Sequence, residues 1–134
     1  MKIVAIAAVA LVLGLGTVSV ASAGPGSGAT SIVGGVAHAN TPTDVDVSIT
    51  GGAPIVPYEY SVVNRCWFSG RTTGPSDSYE RFDLIGPWFD VGGTPHTTVT
   101  VNNNPIPDGA ACKVFIMHSN TLVKGSTTAY TVVA

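Results

Sequence analysis

The amino-acid sequence predicts an all-β protein, an antiparallel β-sandwich of about seven strands. Residues 44–49 alternate strictly between apolar and polar side chains, which is typical of a half-buried strand. Turn-forming Gly, Pro and Asn residues recur at intervals of roughly 8 to 15 residues. No segment has helical periodicity, so neighbouring strands are expected to be antiparallel and joined by short loops.

The predicted strands follow from this pattern of alternation and turns. In the first of them Val45, Val47 and Ile49 share one face. In the next, Tyr58 and Tyr60 are predicted to share a face as well. The clearest strands cover residues 44–49, 58–68, 79–85, 97–101, 111–117 and 128–133.

The strand at 111–117 has two different faces. Cys112, Val114, Ile116 and His118 point one way, and Lys113, Phe115 and Met117 point the other. Two large apolar side chains on the second face need a cover, which is a hint of contact with a partner or a strand edge.

The amino end has the features of a secretory signal peptide. A basic start at Lys2 precedes an apolar run at residues 3–15, and Ala21-Ser22-Ala23 forms a small-residue cleavage signal. An uncleaved membrane anchor is the alternative, but glycines and hydroxyl side chains dilute the apolar character after Leu15. We therefore expect a cleaved signal peptide at 1–23, a flexible leader at 24–30 and a single domain at 31–134.

The charge of the mature chain restricts its partners. Residues 24–134 hold five Lys and Arg against eight Asp and Glu, a formal charge of −3. Nucleic acid is disfavoured because phosphate binding requires clustered Lys and Arg. Anionic membrane surface is disfavoured for the same reason, and we expect a secreted, extracellular product without membrane attachment after cleavage.

Cys66 and Cys112 predict one disulfide, since paired cysteines are typical of exported chains. The chain here resembles an immunoglobulin-like or fibronectin-like sandwich. That resemblance implies that Cys66 lies on a central strand and Cys112 on a facing one, so that the bridge joins the two sheets. Ala110 departs from the immunoglobulin pattern, which has tyrosine two residues before the second cysteine. Trp67 departs as well, because it directly follows the first cysteine and should face away from the disulfide.

A metal site is an alternative interpretation of residues 112–120. Cys112, Met117 and His118 are ligand types of copper proteins, and His96 or His38 would complete a cupredoxin-like set. The weak candidate set is His96, Cys112 and His118. A strand would direct Met117 away from Cys112, and a disulfide would remove the thiolate, so we expect no cofactor.

Catalysis has little support in the sequence. The chain lacks a G-x-S-x-G elbow, and its three histidines are scattered. No pair of carboxylates is placed by spacing to flank a substrate. We expect a protein that is not an enzyme, with a small hydrolytic domain using His96 and His118 as the alternative.

Residues 65–90 contain the side chains best suited to recognition. Trp, Tyr and Arg are enriched at binding hot spots, and this stretch holds both tryptophans of the chain. The competing interpretation is that the tryptophans only close the core. We expect an extracellular binding or interaction module with a protein or glycan ligand, met in part by the polar loop at 69–77. The candidate residues are Trp67, Arg71, Tyr79, Arg81 and Trp88.

Overall fold

The computed structural model describes residues 26–51, 55–68, 78–102 and 105–134. These residues form two packed β-sheets, which confirms the predicted all-β sandwich. The helical content of the described residues is a 3₁₀ turn at Val33–Gly35. None of their helices has the length and apolar character needed to span a membrane.

Ten strands within the described ranges build the two sheets. The four-stranded sheet has the spatial order β1 (Ser27–Ile32), β3 (Thr43–Thr50), β7 (Thr94–Val101) and β6 (Phe89–Val91). The six-stranded sheet has the order β2 (Ala37–His38), β10 (Thr128–Val133), β8 (Ala111–His118), β4 (Tyr60–Trp67) and β5 (Ser78–Leu84), and β9 (Thr121–Leu122) pairs with β8.

The strand order is that of an immunoglobulin sandwich. Strands β1, β3, β7 and β6 take the A, B, E and D positions, and β4, β8 and β10 take C, F and G. Strand β5 lies beside β4, where variable-type domains add C′. The pairings between these strands are antiparallel except that of β2 with β10, which run parallel.

Alternation along the strands places the main core between the sheets. Val45, Val47 and Ile49 of β3 are fully buried, as predicted, and they pack against Val62 of β4 and Ile116 of β8. Full burial of an aliphatic side chain of this size contributes about 1.5–3 kcal/mol. The inward residues of these strands therefore supply much of the driving force for sheet packing.

A second, smaller core surrounds the disulfide. Cys66 and Cys112 are buried together with Ile106, Ala110 and Val132. Asn64 lies one inward position further along β4 and is also completely buried. The sandwich is thus filled at this end by a covalent bridge and a hydrogen-bonded amide in addition to aliphatic side chains.

The disulfide does form between Cys66 and Cys112, but the prediction that it joins the two sheets was wrong. The cysteines are directly opposite each other on β4 and β8, which are neighbours in the same sheet. Their Cα atoms are 4.1 Å apart, near the spacing of about 4.5 Å in a non-hydrogen-bonded antiparallel pair. Both side chains point inward, and an inward position can meet a neighbouring strand as well as a facing one.

The flexible leader predicted at 24–30 was wrong for residues 27–30. These residues lie in β1, which pairs with β3 over its whole length. The hydroxyl of Thr30 donates a hydrogen bond to the carbonyl of Ser126 at 2.6 Å. A Gly- and Ser-rich stretch can be ordered in this way because it gains its stability from contacts with distant strands, not from its own composition.

Tyr58 does not share a face with Tyr60, since β4 begins only at Tyr60. Tyr58 lies in a turn with a positive φ of 65°, and 62% of its surface is exposed. Strand β10, in contrast, has the predicted bounds. The predictions for the signal peptide, for residues 24–25 of the leader and for the loop at 69–77 lie outside the described residues.

Candidate functional site

Trp67 lies on the outer side of the six-stranded sheet, away from the disulfide. It is the last residue of β4, and the Nζ atom of Lys113 is 5.7 Å from its ring centroid. Only 7% of its surface is exposed, so Trp67 packs beneath the residues around it and offers little surface to a partner.

Tyr79 and Arg81 lie on the inner side of the six-stranded sheet, opposite to the outer side that carries Trp67. Tyr79 packs against the disulfide core, and its hydroxyl donates to the carbonyl of Asn102 at 3.1 Å. Arg81 is exposed and forms an ion pair with Asp83 at 3.4 Å. The carboxylate of Asp83 raises the pKa of Arg81 further above its usual value.

Trp88 lies in the segment that crosses from β5 to β6. Its ring meets Tyr60 edge to face at a centroid distance of 5.7 Å, so it closes one end of the main core. Arg71 lies outside the described residues. The described members of the predicted binding set are therefore divided between an outer face, an inner side and the core, and they do not form one surface.

The alternative metal set does not come together. Cys112 is bound in the disulfide and offers no thiolate. His96 lies in the four-stranded sheet beside Phe89 and Asp46, whereas His118 lies in the six-stranded sheet. Within the described ranges, no group of three or more His, Cys, Asp and Glu side chains is placed to hold a metal ion.

His118 belongs to an aromatic cluster at the end of the sandwich. Its ring stacks on Tyr60 at 4.5 Å, and its Nε2 atom is 3.4 Å from a carboxylate oxygen of Glu59. Burial raises the pKa of Tyr60, and the negative charge of Glu59 adds to this effect. The Nε1 atom of Trp88 is buried in the same cluster without a hydrogen-bond partner among the described residues.

The outer face of the six-stranded sheet is rich in exposed apolar side chains. Phe82 is 59% exposed, Leu84 66% and Leu122 50%, and they lie around Phe115 and Met117. We call this surface the apolar face. Its apolar members are Val63, Phe82, Leu84, Phe115, Met117 and Leu122.

The register of β5, β4 and β8 arranges this face in rows across the sheet. One row places Leu84, Ser61 and Met117 side by side, and Leu122 extends it onto β9. The next row holds Phe82, Val63 and Phe115. Val63 is only 1% exposed because the two phenylalanines cover it.

The third row carries the charges of the apolar face. Glu80, Arg65 and Lys113 lie side by side on β5, β4 and β8. Arg65 donates a hydrogen bond to the carboxylate of Glu80, and its guanidinium lies 5.4 Å from the ring centroid of Phe115. Lys113 has its ammonium over Trp67. The row therefore has a carboxylate at one edge and an ammonium at the other.

Two shallow depressions lie on the same face. One has a volume of about 320 Å³ and is lined by Arg65, Phe115, Met117, Leu122 and Thr127. The other has a volume of about 240 Å³ and lies around Trp67 and Lys113, where β8 meets β10. Both are open hollows of a size that receives a side chain of another molecule, not enclosed cavities.

The outer face of the four-stranded sheet is different, and we call it the polar face. Thr98 and Thr100 of β7 donate hydrogen bonds to Asp46 and Asp44 of β3, at 2.8 and 2.6 Å. Ser48 and His96 continue the polar pattern in the next cross-strand pair. The part of this face on β3 and β7 is well solvated and needs no covering partner. Two exposed apolar side chains, Phe89 and Val91, lie at its β6 edge, opposite His96 and Thr94.

The apolar face was partly visible in the sequence. The exposed apolar side of residues 111–117 was a signal, because Phe115 and Met117 alternate with buried residues. Phe82 and Leu84 alternate in the same way, but Tyr79, Arg81 and Asp83 obscure which side of β5 is inward. Only the pairing register brings the two groups onto one surface.

Comparison with known proteins gives no match, whether against family models, curated proteins or solved structures. The fold defines the chain as a two-sheet β-sandwich with a single disulfide.

Proposed function

We propose that this protein is a secreted, non-catalytic binding module that recognises a protein partner through the apolar face. The observation that carries the proposal is the contrast between the two outer faces. One is a ladder of hydrogen-bonded Asp and Thr side chains with exposed apolar groups at its β6 edge, Phe89 and Val91. The other exposes Phe82, Leu84 and Leu122 around Phe115 and Met117. Contiguous exposed apolar surface on a soluble domain is typical of an interaction site.

The composition of the face favours a protein over a glycan as the partner. Its exposed aromatic ring, Phe82, has no polar group, and the other apolar members of the face are phenylalanine, aliphatic and thioether side chains. Protein interfaces have such an apolar centre with a polar rim. Here the rim is supplied by Glu80, Arg65 and Lys113.

The proposal of secretion rests on the apolar amino end and its cleavage signal, and the disulfide is compatible with an oxidising compartment. The intact mass of protein recovered from culture medium tests it. We expect a chain that starts at Gly24, with both cysteines alkylated only after reduction. A full-length chain retained in the cell would contradict the proposed export.

Binding through the apolar face is tested with the double variant Phe82→Ser, Leu84→Ser. Tagged protein is incubated with the extracellular fraction of the producing organism, to which untagged copies of the same chain are added. The proteins that are retained with the tagged chain are then identified. We expect a partner that the wild type retains and the double variant loses. The matched control is Thr98→Ser, Thr100→Ser on the polar face, which should retain the partner. Equal retention by all three proteins would refute the role of the apolar face.

A further inference from the structure

We infer that the partner of the apolar face is a second copy of this chain, bound face to face around a two-fold axis that runs along β4. This inference deepens the proposed function and rests on it. The argument comes from the order of the strands, the register of their side chains and the charges at the rim.

The strand order makes the face self-complementary. Strands β5 and β8 flank β4 on its two sides. Consider a two-fold axis that is parallel to β4 and lies just above it. Rotation about this axis keeps each row at the same height along the strands and exchanges the two sides of β4. Strand β5 of one copy is thereby laid over β8 of the other, and the reverse contact forms at the same time.

The rows then match apolar groups with apolar groups. Leu84 of one copy faces Met117 of the second copy, because both pair with Ser61 of β4. Phe82 faces Phe115 of the second copy, because both pair with Val63. The depression beside Phe115 and Met117 provides space for these side chains. Aromatic and thioether groups are the types enriched at the centres of interfaces.

The same operation matches opposite charges. Glu80 of one copy faces Lys113 of the second copy, because both pair with Arg65. The ammonium of Lys113 is over Trp67, and Lys113 is exposed, so it is available to a carboxylate from above. Arg65 faces its own symmetry mate, and the repulsion is reduced because each Arg65 is already bound to Glu80 of its own chain.

The size of the overlapping face is that of a weak dimer. Strands β4 and β8 have eight residues each and run about 26 Å at about 3.3 Å per residue. The three strands that overlap in this dimer, β5, β4 and β8, are spaced about 4.8 Å apart and give a width of about 14 Å. The overlap thus covers about 370 Å² per copy and about 750 Å² in the pair, within the size range of weak, transient interfaces.

Sedimentation velocity on charge variants tests the inference. We expect the wild type to dimerise. We expect Lys113→Glu to raise the dimer dissociation constant about tenfold or more, because the introduced carboxylate then faces Glu80 of the other copy at both symmetry-related contacts. Glu80→Lys should weaken the dimer in the same way by opposing two ammonium groups. The matched control is Lys124→Glu, which makes the same charge change at the β1 edge of the molecule and should dimerise as the wild type does.

Recombining the charges gives the decisive measurement. Mixing Lys113→Glu with Glu80→Lys should form heterodimers, detected by native mass spectrometry, because both opposite-charge contacts are restored between the two different chains. The double variant Glu80→Lys, Lys113→Glu should dimerise by itself, and the carboxylate introduced on β8 would then lie beside Arg65 in place of the one lost from β5.

Two results would overturn the inference. One is a wild type that stays monomeric at the highest soluble concentration. The other is a dimer that neither Lys113→Glu nor the double variant Phe82→Ser, Leu84→Ser weakens. The wild type could be monomeric and yet capture another protein that the double variant Phe82→Ser, Leu84→Ser does not capture. In that case the proposed function stands, and only the inference that the partner is a second copy is wrong. If the capture is unaffected as well, both fail.

Discussion

Asn64 shows how a single polar residue is accommodated in this core. It is completely buried on β4, and its Oδ1 atom accepts a hydrogen bond from the hydroxyl of Tyr130 at 2.7 Å. Its Nδ2 atom donates to Sγ of Cys66 at 3.6 Å. A buried amide is costly without such partners. The contact ties β4 to β10 across the intervening strand β8 and favours one alignment of the three strands.

Removal of this hydrogen bond should destabilise the fold. We expect Asn64→Ala to lower the free energy of unfolding by about 1–3 kcal/mol, since it also leaves the hydroxyl of Tyr130 with less hydrogen bonding. Tyr130→Phe should cost about 1 kcal/mol. Urea denaturation of both variants and of the double variant measures the coupling. Strictly additive effects would show that the two side chains do not depend on each other.

Gly28 is required by packing, not by a special backbone angle. A Cβ atom there would lie 2.9 Å from Cγ1 of Val123 and 3.1 Å from Cδ1 of Ile116. We expect Gly28→Ala to lower the free energy of unfolding by about 1–3 kcal/mol because the core has no free space for the methyl group. Ala29→Ser is the control, since Ala29 is the next residue and is exposed. Equal stability of the two variants in urea would contradict this account.

At the scale of elements, the central feature is the bridge between β4 and β8. The two strands already pair over eight positions, and the disulfide closes a sequence separation of 46 residues between them. The covalent link restricts the unfolded chain, whereas the pairing itself depends on hydrogen bonds and side-chain packing.

Loss of the disulfide should therefore lower stability without changing the pairing. We expect the double variant Cys66→Ala, Cys112→Ala to lose about 2–4 kcal/mol in the free energy of unfolding. Circular dichroism should still report a β-rich fold below the unfolding transition. A variant as stable as the oxidised wild type would show that the bridge adds nothing to this sandwich.

Strands with a strict alternation could be predicted from the sequence. The inward faces of β3 and β8 follow directly from their apolar spacing, as for Val45 and Val114. Strand β1 could not be predicted, because Gly28 and Thr30 gain their places from contacts with residues near 116–128. The two cysteines in the sequence predicted a disulfide, but they did not indicate that it joins neighbouring strands of one sheet.

The candidate site was predicted even less completely. A count of Trp, Tyr and Arg led to residues 65–90, but Trp88 and Tyr79 are used in packing. The apolar face combines residues from β4, β5, β8 and β9 that are far apart in the chain. Its composition depends on cross-strand register, which no local pattern in the sequence contains.

At the scale of the whole molecule, stability at high pH depends on the aromatic cluster at the end of the sandwich. Burial raises the pKa of Tyr60 above its ordinary value of 10.0. The unfolded chain therefore ionises first. The contribution of this group is fully present below pH 10.0 and is lost as the pH rises through the folded-state pKa.

We expect Tyr60→Phe to reduce the loss of unfolding free energy above pH 10.0. Urea denaturation at a series of alkaline pH values measures it, and His118 and Glu59 remain as the neighbouring titratable groups. The control is Tyr58→Phe, because Tyr58 is exposed. If both variants keep the wild-type pH dependence, ionisation of Tyr60 is not coupled to unfolding.

The contacts of Thr30 have a mechanical consequence. Its hydroxyl donates to Ser126, and its carbonyl accepts a hydrogen bond from Thr128 at 2.7 Å, so β1 and β10 are joined across the gap between the sheets. Gly28 adds a backbone hydrogen bond to Lys124 on the same side. The two sheets are therefore held together by hydrogen bonds along this edge. Opening fluctuations should therefore pivot about β1 and β10 and widen towards β5 and β6, where amide hydrogens should exchange first.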